Sequence, residues 1–259
     1  MAKLSREYRL QISNLIIDNK LHIVWDYEVK LDDSPATCNL SVYNLSDDTI
    51  SRINSNQGVV FQIGYNENIG VMIEGYVKSS ITTFSGPDKI TKLKIGGADL
   101  TLNNNLSVSY SKGVNAEYAL RDIANKLNLS IKILNLVNNF TFNSGYSSDA
   151  KGILQLKQIV EKTGSILKIE NNFIYIYPED ETIPGVAFNL NYETGLLREP
   201  LKNTDNDKKY DYELKALPNF AIKKGSKLQI RSNVFNGLVS VKEIKISNWE
   251  STYKVGEIK

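Results

Sequence analysis

The chain has 259 residues, 41% of them hydrophobic, 23% charged and summing to a net charge of +2, with one His and one Cys. That length supports one large core or two to three smaller ones, and so balanced a surface exerts no global pull on nucleic acid or membrane. A single Cys excludes an internal disulfide framework, and the charged start MAKLSREYRLQ lacks the apolar core of a signal segment. No apolar run approaches the ~18 residues that span a bilayer, so no membrane anchoring is expected. Asn occurs 28 times, a bias that fits an AT-rich genome better than a site.

The N-terminal third reads as β. Tyr8, Leu10, Ile12 and Ile16 fall on one face of a first strand. After a turn at Asp18-Asn19-Lys20, Leu21, Ile23, Trp25, Tyr27, Val29 and Leu31 alternate without a slip. The two are expected to pair as a hairpin of about ten residues per strand, ~33 Å long at ~3.3 Å per residue. The opposite face of the second strand carries His22, Val24, Asp26, Glu28 and Lys30. Of these, His22, Asp26, Glu28 and Lys30 are polar and mark the face turned away from the core.

Thr37–Tyr43 is a further strand, and Ser46 caps a short helix over 47–54 with Asp47 and Asp48 in its first turn. Gly58 opens a strand Val59–Tyr65. Val71–Thr83 follows with Val71, Ile73, Gly75, Val77 and Ile81 inward, then a turn at Ser85-Gly86-Pro87-Asp88. Lys89–Ile95 returns with a bulge between Ile90 and Leu93. Composition changes at Asn103-Asn104-Asn105. Asn115 caps a helix over 116–127 with Ala116, Ala119, Leu120, Ile123, Ala124 and Leu127 on one face. Ser148 starts a second helix, 149–163, burying Ile153, Leu156, Ile159 and Val160 and stopped by Gly164. SILKIE and FIYIY then form a hairpin around Asn171-Asn172. Past the acidic junction Glu179-Asp180-Glu181 and Pro184, strands are expected at Lys209–Lys215, Lys227–Arg231 and Leu238–Ile246. Asn236-Gly237 is the turn between the last two. Residues 196–259 hold 13 Lys plus Arg against 8 Asp plus Glu, a charge of +5, while 1–195 carry −3. A solvated basic face or a contact with an acidic neighbour would each account for that.

No catalytic constellation emerges. His22 has no nucleophile motif beside it, Cys38 reads as a small apolar side chain in a strand, and one His with one Cys cannot close a zinc site. Asp32-Asp33 belong to the turn before Pro35. Asp205-Asn206-Asp207 lacks the Gly and Glu of a calcium loop, since Tyr210 and Ala216 stand in those places. Gly96-Gly97 lacks a phosphate-loop context and reads as a strand end or a close-packing point. Phe173, Tyr175 and Tyr177 alternate with Ile174 and Ile176, without the basic interleaving of a nucleic-acid platform. No metal, cofactor or specific nucleic acid is expected. Paired carboxylates remain plentiful enough to leave a β-rich peptidoglycan- or carbohydrate-cleaving enzyme as an alternative.

The stretch from Leu217 to Ile246, LPNFAIKKGSKLQIRSNVFNGLVSVKEIKI, carries a resemblance. Its Leu-Pro-x-x-x-Ile-x-x-Gly-x-x-Leu-x-Ile, closed by Asn-Gly-x-x-x-Val, resembles the C-terminal barrel of phage contractile-tail baseplate hub proteins, the late-control D-like family. The order strand, Asn-Leu-Ser helix, strand, Ile-x-Gly-x-Val resembles that family's N-terminal half, and Gly164–Pro178 its middle domain. The resemblance implies an α+β, mainly β fold: two tube-protein-like β-barrel portions, 1–104 and 181–259, around an inserted α+β domain, 105–180. It further implies a non-enzymatic homotrimeric ring that joins a six-fold tail tube to a three-fold central spike among other baseplate proteins. The particle would be a phage tail or a phage-tail-like bacteriocin, assembled in the bacterial host cytoplasm. In such a ring the polar face His22, Asp26, Glu28 and Lys30 would line the channel or a subunit contact. The carboxylate enzyme is the runner-up, and another ring component, a distal or tube-initiating protein, is the third reading.

Overall fold

The structure is a computed structural model and describes residues 5–31, 35–96, 104–170, 173–178, 187–205 and 209–258. The chain divides into two compact units, one built from Met1–Gly97 with Ile183–Lys259 and the other from Ala98–Thr182. It is an α+β protein, mainly β, with large antiparallel sheets.

In the larger unit, in chain order, the strands are β1 (Arg6–Ile12), β2 (Leu15–Asp18), β3 (Ile23–Val29) and β4 (Thr37–Tyr43). Helix α1 (Asp47–Ser51) precedes β5 (Gly58–Tyr65), β6 (Asn68–Ser85) and β7 (Asp88–Gly96). The smaller unit contributes β8 (Asn105–Tyr110), α2 (Ala116–Lys126), β9 (Ser130–Leu134), β10 (Tyr146–Lys151), α3 (Gly152–Thr163), β11 (Ser165–Glu170) and β12 (Phe173–Pro178). The chain then returns to the larger unit as β13 (Phe188–Leu190), β14 (Leu201–Lys202), β15 (Tyr212–Ala216), β16 (Lys227–Arg231), β17 (Asn236–Ser247) and β18 (Glu250–Glu257).

The larger unit is one continuous sheet in the order β14-β15-β18-β17-β3-β4-β7-β6-β5-β1-β2, with β16 on β17 and β13 on β16. Its two halves, more than 200 residues apart in sequence, join where β17 lies antiparallel to β3, with Ile246 opposite Tyr27 and Ile244 opposite Val29. A single core beneath this sheet takes Leu10, Trp25, Leu40, Phe61, Val77 and Ile95 from one half and Leu214, Ile230, Ile244 and Tyr253 from the other. Period-two alternation fixes which face each strand buries, because a one-residue slip would turn every apolar side chain to water.

Several sequence expectations are met closely. Thr37–Tyr43 and Lys227–Arg231 are strands with those bounds. The Ser46 hydroxyl accepts from the Thr49 amide, although α1 stops at Ser51 rather than 54. Asn115 caps α2 by accepting from the Tyr118 amide, and Ala116, Ala119, Leu120, Ile123, Ala124 and Leu127 are all buried. Gly164 ends α3 at φ 72, a left-handed conformation that glycine adopts without a side-chain penalty.

Others need correction. The first strand does not run on to pair with β3. It turns back at Ser13-Asn14, with Ser13 at φ 52, and β2 lies on β1 with Leu15 opposite Ile12. This two-residue turn uses the positive φ that glycine usually supplies, so no turn signal marked it. It also swaps the parity, leaving Ile16 51% exposed and Ile17 buried. The bulge expected in β7 lies across from it, in β6 between Val77 and Ser79, while Thr91, Leu93 and Ile95 alternate regularly into the core. That shift in β6 leaves Ile81 outward at 60% exposure.

The second helix begins at Gly152, because residues 146–151 pair as β10 against β8 and the sheet outweighs the cap offered by Ser148. Gly152 sits against α2 so closely that a Cβ there would lie 2.6 Å from Leu127 Cδ2. Ile153 is only half-buried.

Asn236 and Gly237 are the first residues of β17, opposite Arg231 and Ile230. The turn is Ser232–Phe235, closed by the Ser232 hydroxyl accepting from the Phe235 amide. The strand expected from Lys209 begins at Tyr212. Strand β18 carried no recognised signal: its turn is Asn248-Trp249, both at positive φ, 45° and 69°. Trp249 holds that conformation because its ring is buried edge-on against Trp25 and Tyr65, at 5.7 and 5.3 Å. The expected turns at Asp32-Asp33 and Asn171-Asn172, the junction at 179–184, Asn103, Gly97, Asn206 and Asp207 lie outside the described residues.

Candidate functional site: a charged sheet face

The face of β15, β18, β17 and β3 that points away from the core is a ladder of alternating charge. Strand pairing sets Glu213, Lys254 and Glu243 in one row, and Lys215, Thr252, Lys245 and Glu28 in the next. A third row holds Glu250, Ser247 and Asp26. Residues of all three rows, together with Lys30, Leu31 and Lys209, line an open groove of about 780 Å³.

Pairs within the ladder set its electrostatics. Lys254 Nζ lies 2.8 Å from Glu243 Oε1, and this hydrogen-bonded carboxylate holds the ammonium above its ordinary range. Lys215 Nζ is 2.5 Å from Glu250 Oε1, and that contact keeps the Glu250 carboxyl below the usual carboxylate range. Arg198 meets Glu213 at 3.1 Å. Ser247 donates to Asp26 Oδ1 at 2.5 Å. Exposed pairs of this kind each contribute about 0.2–1 kcal/mol and weaken with salt. Carboxylates pinned beside ammonium groups act as fixed charges rather than as proton donors.

The four residues singled out from sequence separate here. Glu28 and Lys30 line the groove, and Asp26 occupies the adjoining row. His22 stands just before β3, exposed, with its ring 4.8 Å from that of Tyr43. The positive charge of residues 196–259 is thus interleaved with glutamates on this face, and the sequence count alone gave no hint of that order. Cys38 is fully buried in β4, where desolvation pushes its thiol far up. Among the described residues no cluster of three or more His, Cys, Asp or Glu is arranged to hold a metal ion, and no helix is long and apolar enough to cross a membrane.

A second feature explains the basic turn Lys223-Lys224-Gly225. Lys223 Nζ donates to the carbonyls of Val71 and Met72, each at 3.2 Å, where β6 bulges past β5. Lys224 Nζ donates to the carbonyls of Lys30 and Leu31, each at 2.9 Å, where β3 ends. The turn therefore staples the C-terminal strands to the N-terminal ones at two places where sheet pairing lapses. The motif signal in sequence was real, and its physical content is satisfaction of backbone carbonyls.

This architecture is that of phage tail proteins. Over 98% of its length the chain matches the crystal structure of the 43 kDa tail protein of prophage MuSo2 from Shewanella oneidensis, with a TM-score of 0.66, 11% identity and 98% of that chain covered. A tail protein from Neisseria meningitidis gives a TM-score of 0.66 at 10% identity, covering 98% of this chain and 96% of that one. The Escherichia coli c3393 protein, a type VI secretion component described as structurally similar to the T4 tail proteins gp27 and gp5, gives 0.63 at 8% identity, covering 96% and 77%. No protein-family model matches the sequence, and no curated protein sequence does. The likeness lies in the fold.

Proposed function

We propose that the protein is the structural baseplate hub of a contractile injection particle, a phage tail or a phage-tail-like bacteriocin. Three copies form a ring, and the two strand-rich portions of each subunit offer six quasi-equivalent positions to the tail tube above a three-fold spike. One observation carries this reading: the likeness in fold to tail proteins spans nearly the whole of both chains. The continuous sheet supports it, since β17 on β3 fuses the two portions into one body able to transmit load. The protein then works by geometry and assembly rather than by turnover. The charged face, with Asp26, Glu28 and Lys30 at one side, becomes the lumen or subunit-contact surface. Its alternating signs give a wetted wall with little net attraction for a passing polyanion.

The test is assembly. Light scattering on the purified protein, alone and mixed with the tube and spike proteins of its own particle, is expected to show a trimer or a ring capped by those partners. A folded species that stays monomeric and binds neither overturns the reading.

A further inference from the structure

The core of the larger unit encloses a group of polar atoms where the two ends of the chain meet. Trp25 Nε1, Tyr65 Oη, Ser251 Oγ and Tyr253 Oη are shielded from solvent, and none of the four has a hydrogen-bond partner among the described residues. Trp25, Ser251 and Tyr253 are at most 1% exposed. The four belong to β3, β5 and β18, which are far apart in sequence.

Several contacts place these groups together. Trp249 stands edge-on to both Trp25 and Tyr65. Burial, opposed by Arg6 and aided by the neighbouring Tyr253 phenol, pushes Tyr65 up to about 12. Ser251 and Tyr253 are alternate residues of β18 and so share a face of the sheet. The Ser251 side chain and the Asn219 backbone approach the Tyr253 phenol, but neither reaches it with hydrogen-bond geometry.

The chemistry of the four limits what can satisfy them. Burial also pushes Tyr253 up to about 12, so both phenols keep their protons and each has a donor to place. The indole can only donate, whereas the three hydroxyls can donate and accept. A buried donor without a partner loses its hydration uncompensated, and four in one core would consume much of a domain's net stability. Native cores therefore pair such groups, with ordered water where the protein supplies no partner. An anion suits the site poorly, because no Lys or Arg is buried among the described residues to offset its charge.

We propose that this part of the core is a binding site for ordered water. About two molecules, each making about three hydrogen bonds, would bridge Trp25, Tyr65, Ser251 and Tyr253 and tie β18 to β3 and β5. The site does not depend on the ring reading above.

Oxygen-17 relaxation dispersion of the solvent counts water molecules held in a protein for longer than its tumbling time. The full chain is compared with Tyr253→Phe, Ser251→Ala and a control, Tyr118→Phe, at a residue 59% exposed. Circular dichroism verifies that each variant folds. About one long-lived water is expected to be lost in each of the first two and none in the control. Both should also melt below the parent, because a bridging water that loses a partner is held less well. A hydroxyl that bridges to nothing gives the opposite sign, since its removal relieves an unpaired buried group. Undiminished dispersion in both variants, or a Tyr253→Phe chain that melts above the parent, overturns the proposal. So does a melting temperature that climbs with chloride at constant ionic strength, which would assign the site to an anion.

Discussion

The two units are built on opposite principles. The smaller one comes from a single stretch of chain, and its core is organised by two amphipathic helices with Asn115 and Gly164 at their ends. The larger one takes its first strands and its last from opposite ends of the sequence and depends on β17 meeting β3. Local capping and helical periodicity dictate the first. Pairings that no neighbouring residue announces dictate the second, and such contacts require long loops to close before they stabilise anything.

Three substitutions sharpen that contrast. The largest effect is expected from Trp25→Ala, which removes a fully buried ring in edge contact with Phe61 and Trp249. A loss of about 3–5 kcal/mol is typical for such a truncation. Hydrogen exchange should show faster opening of β3, β17 and β18 while α2 and α3 keep their protection. Equal loss in both units would show that they unfold as one.

Lys223→Ala comes next. It leaves the Val71 and Met72 carbonyls without the ammonium that now bonds both, at a cost of about 1.5–3 kcal/mol for hydrogen bonds to a charged group. Denaturant titration would read this as a lower midpoint for the larger unit.

The smallest effect is a pH dependence confined to the smaller unit. Partial desolvation pushes the Asp122 carboxyl up, but hydrogen bonds from Lys126 and Tyr110 and the Lys126 charge outweigh it and hold the group below its ordinary range. A depressed folded-state value stabilises above the unfolded value of about 3.9, and the contribution fades as pH falls below it. Protection of α2 should therefore decline on acidification below about pH 4. Tyr110→Phe removes one of the lowering bonds and should flatten that decline; an unchanged slope would exclude Asp122 as its source.

The same contrast explains what the sequence revealed. Helix α2, with its cap and buried stripe, was readable because every determinant lies within thirteen consecutive residues, 115–127. Strand alternation in 23–29, 37–43 and 227–231 was likewise plain. Partners were not: β3 read as the mate of β1 because the two are adjacent, yet it lies between β4 and β17. Turns without Gly, at Ser13-Asn14 and Asn248-Trp249, passed unnoticed because tertiary packing holds their positive φ. The charged face was half legible. Asp26, Glu28 and Lys30 stood out by alternation, but their opposite numbers Lys245, Lys254 and Glu243 belong to strands whose register only folding reveals.

Joining β3 to β17 also sets a clock. At roughly 5–20 residues per second on the ribosome, the stretch between these strands takes on the order of 10–40 s to translate. Throughout that interval the nascent chain carries half a sheet whose mate does not yet exist, while the smaller unit, which has a core of its own, emerges. A chaperone that shields Val29 and its neighbours, or slow codons placed after residue 182, would bear directly on the yield of competent subunits.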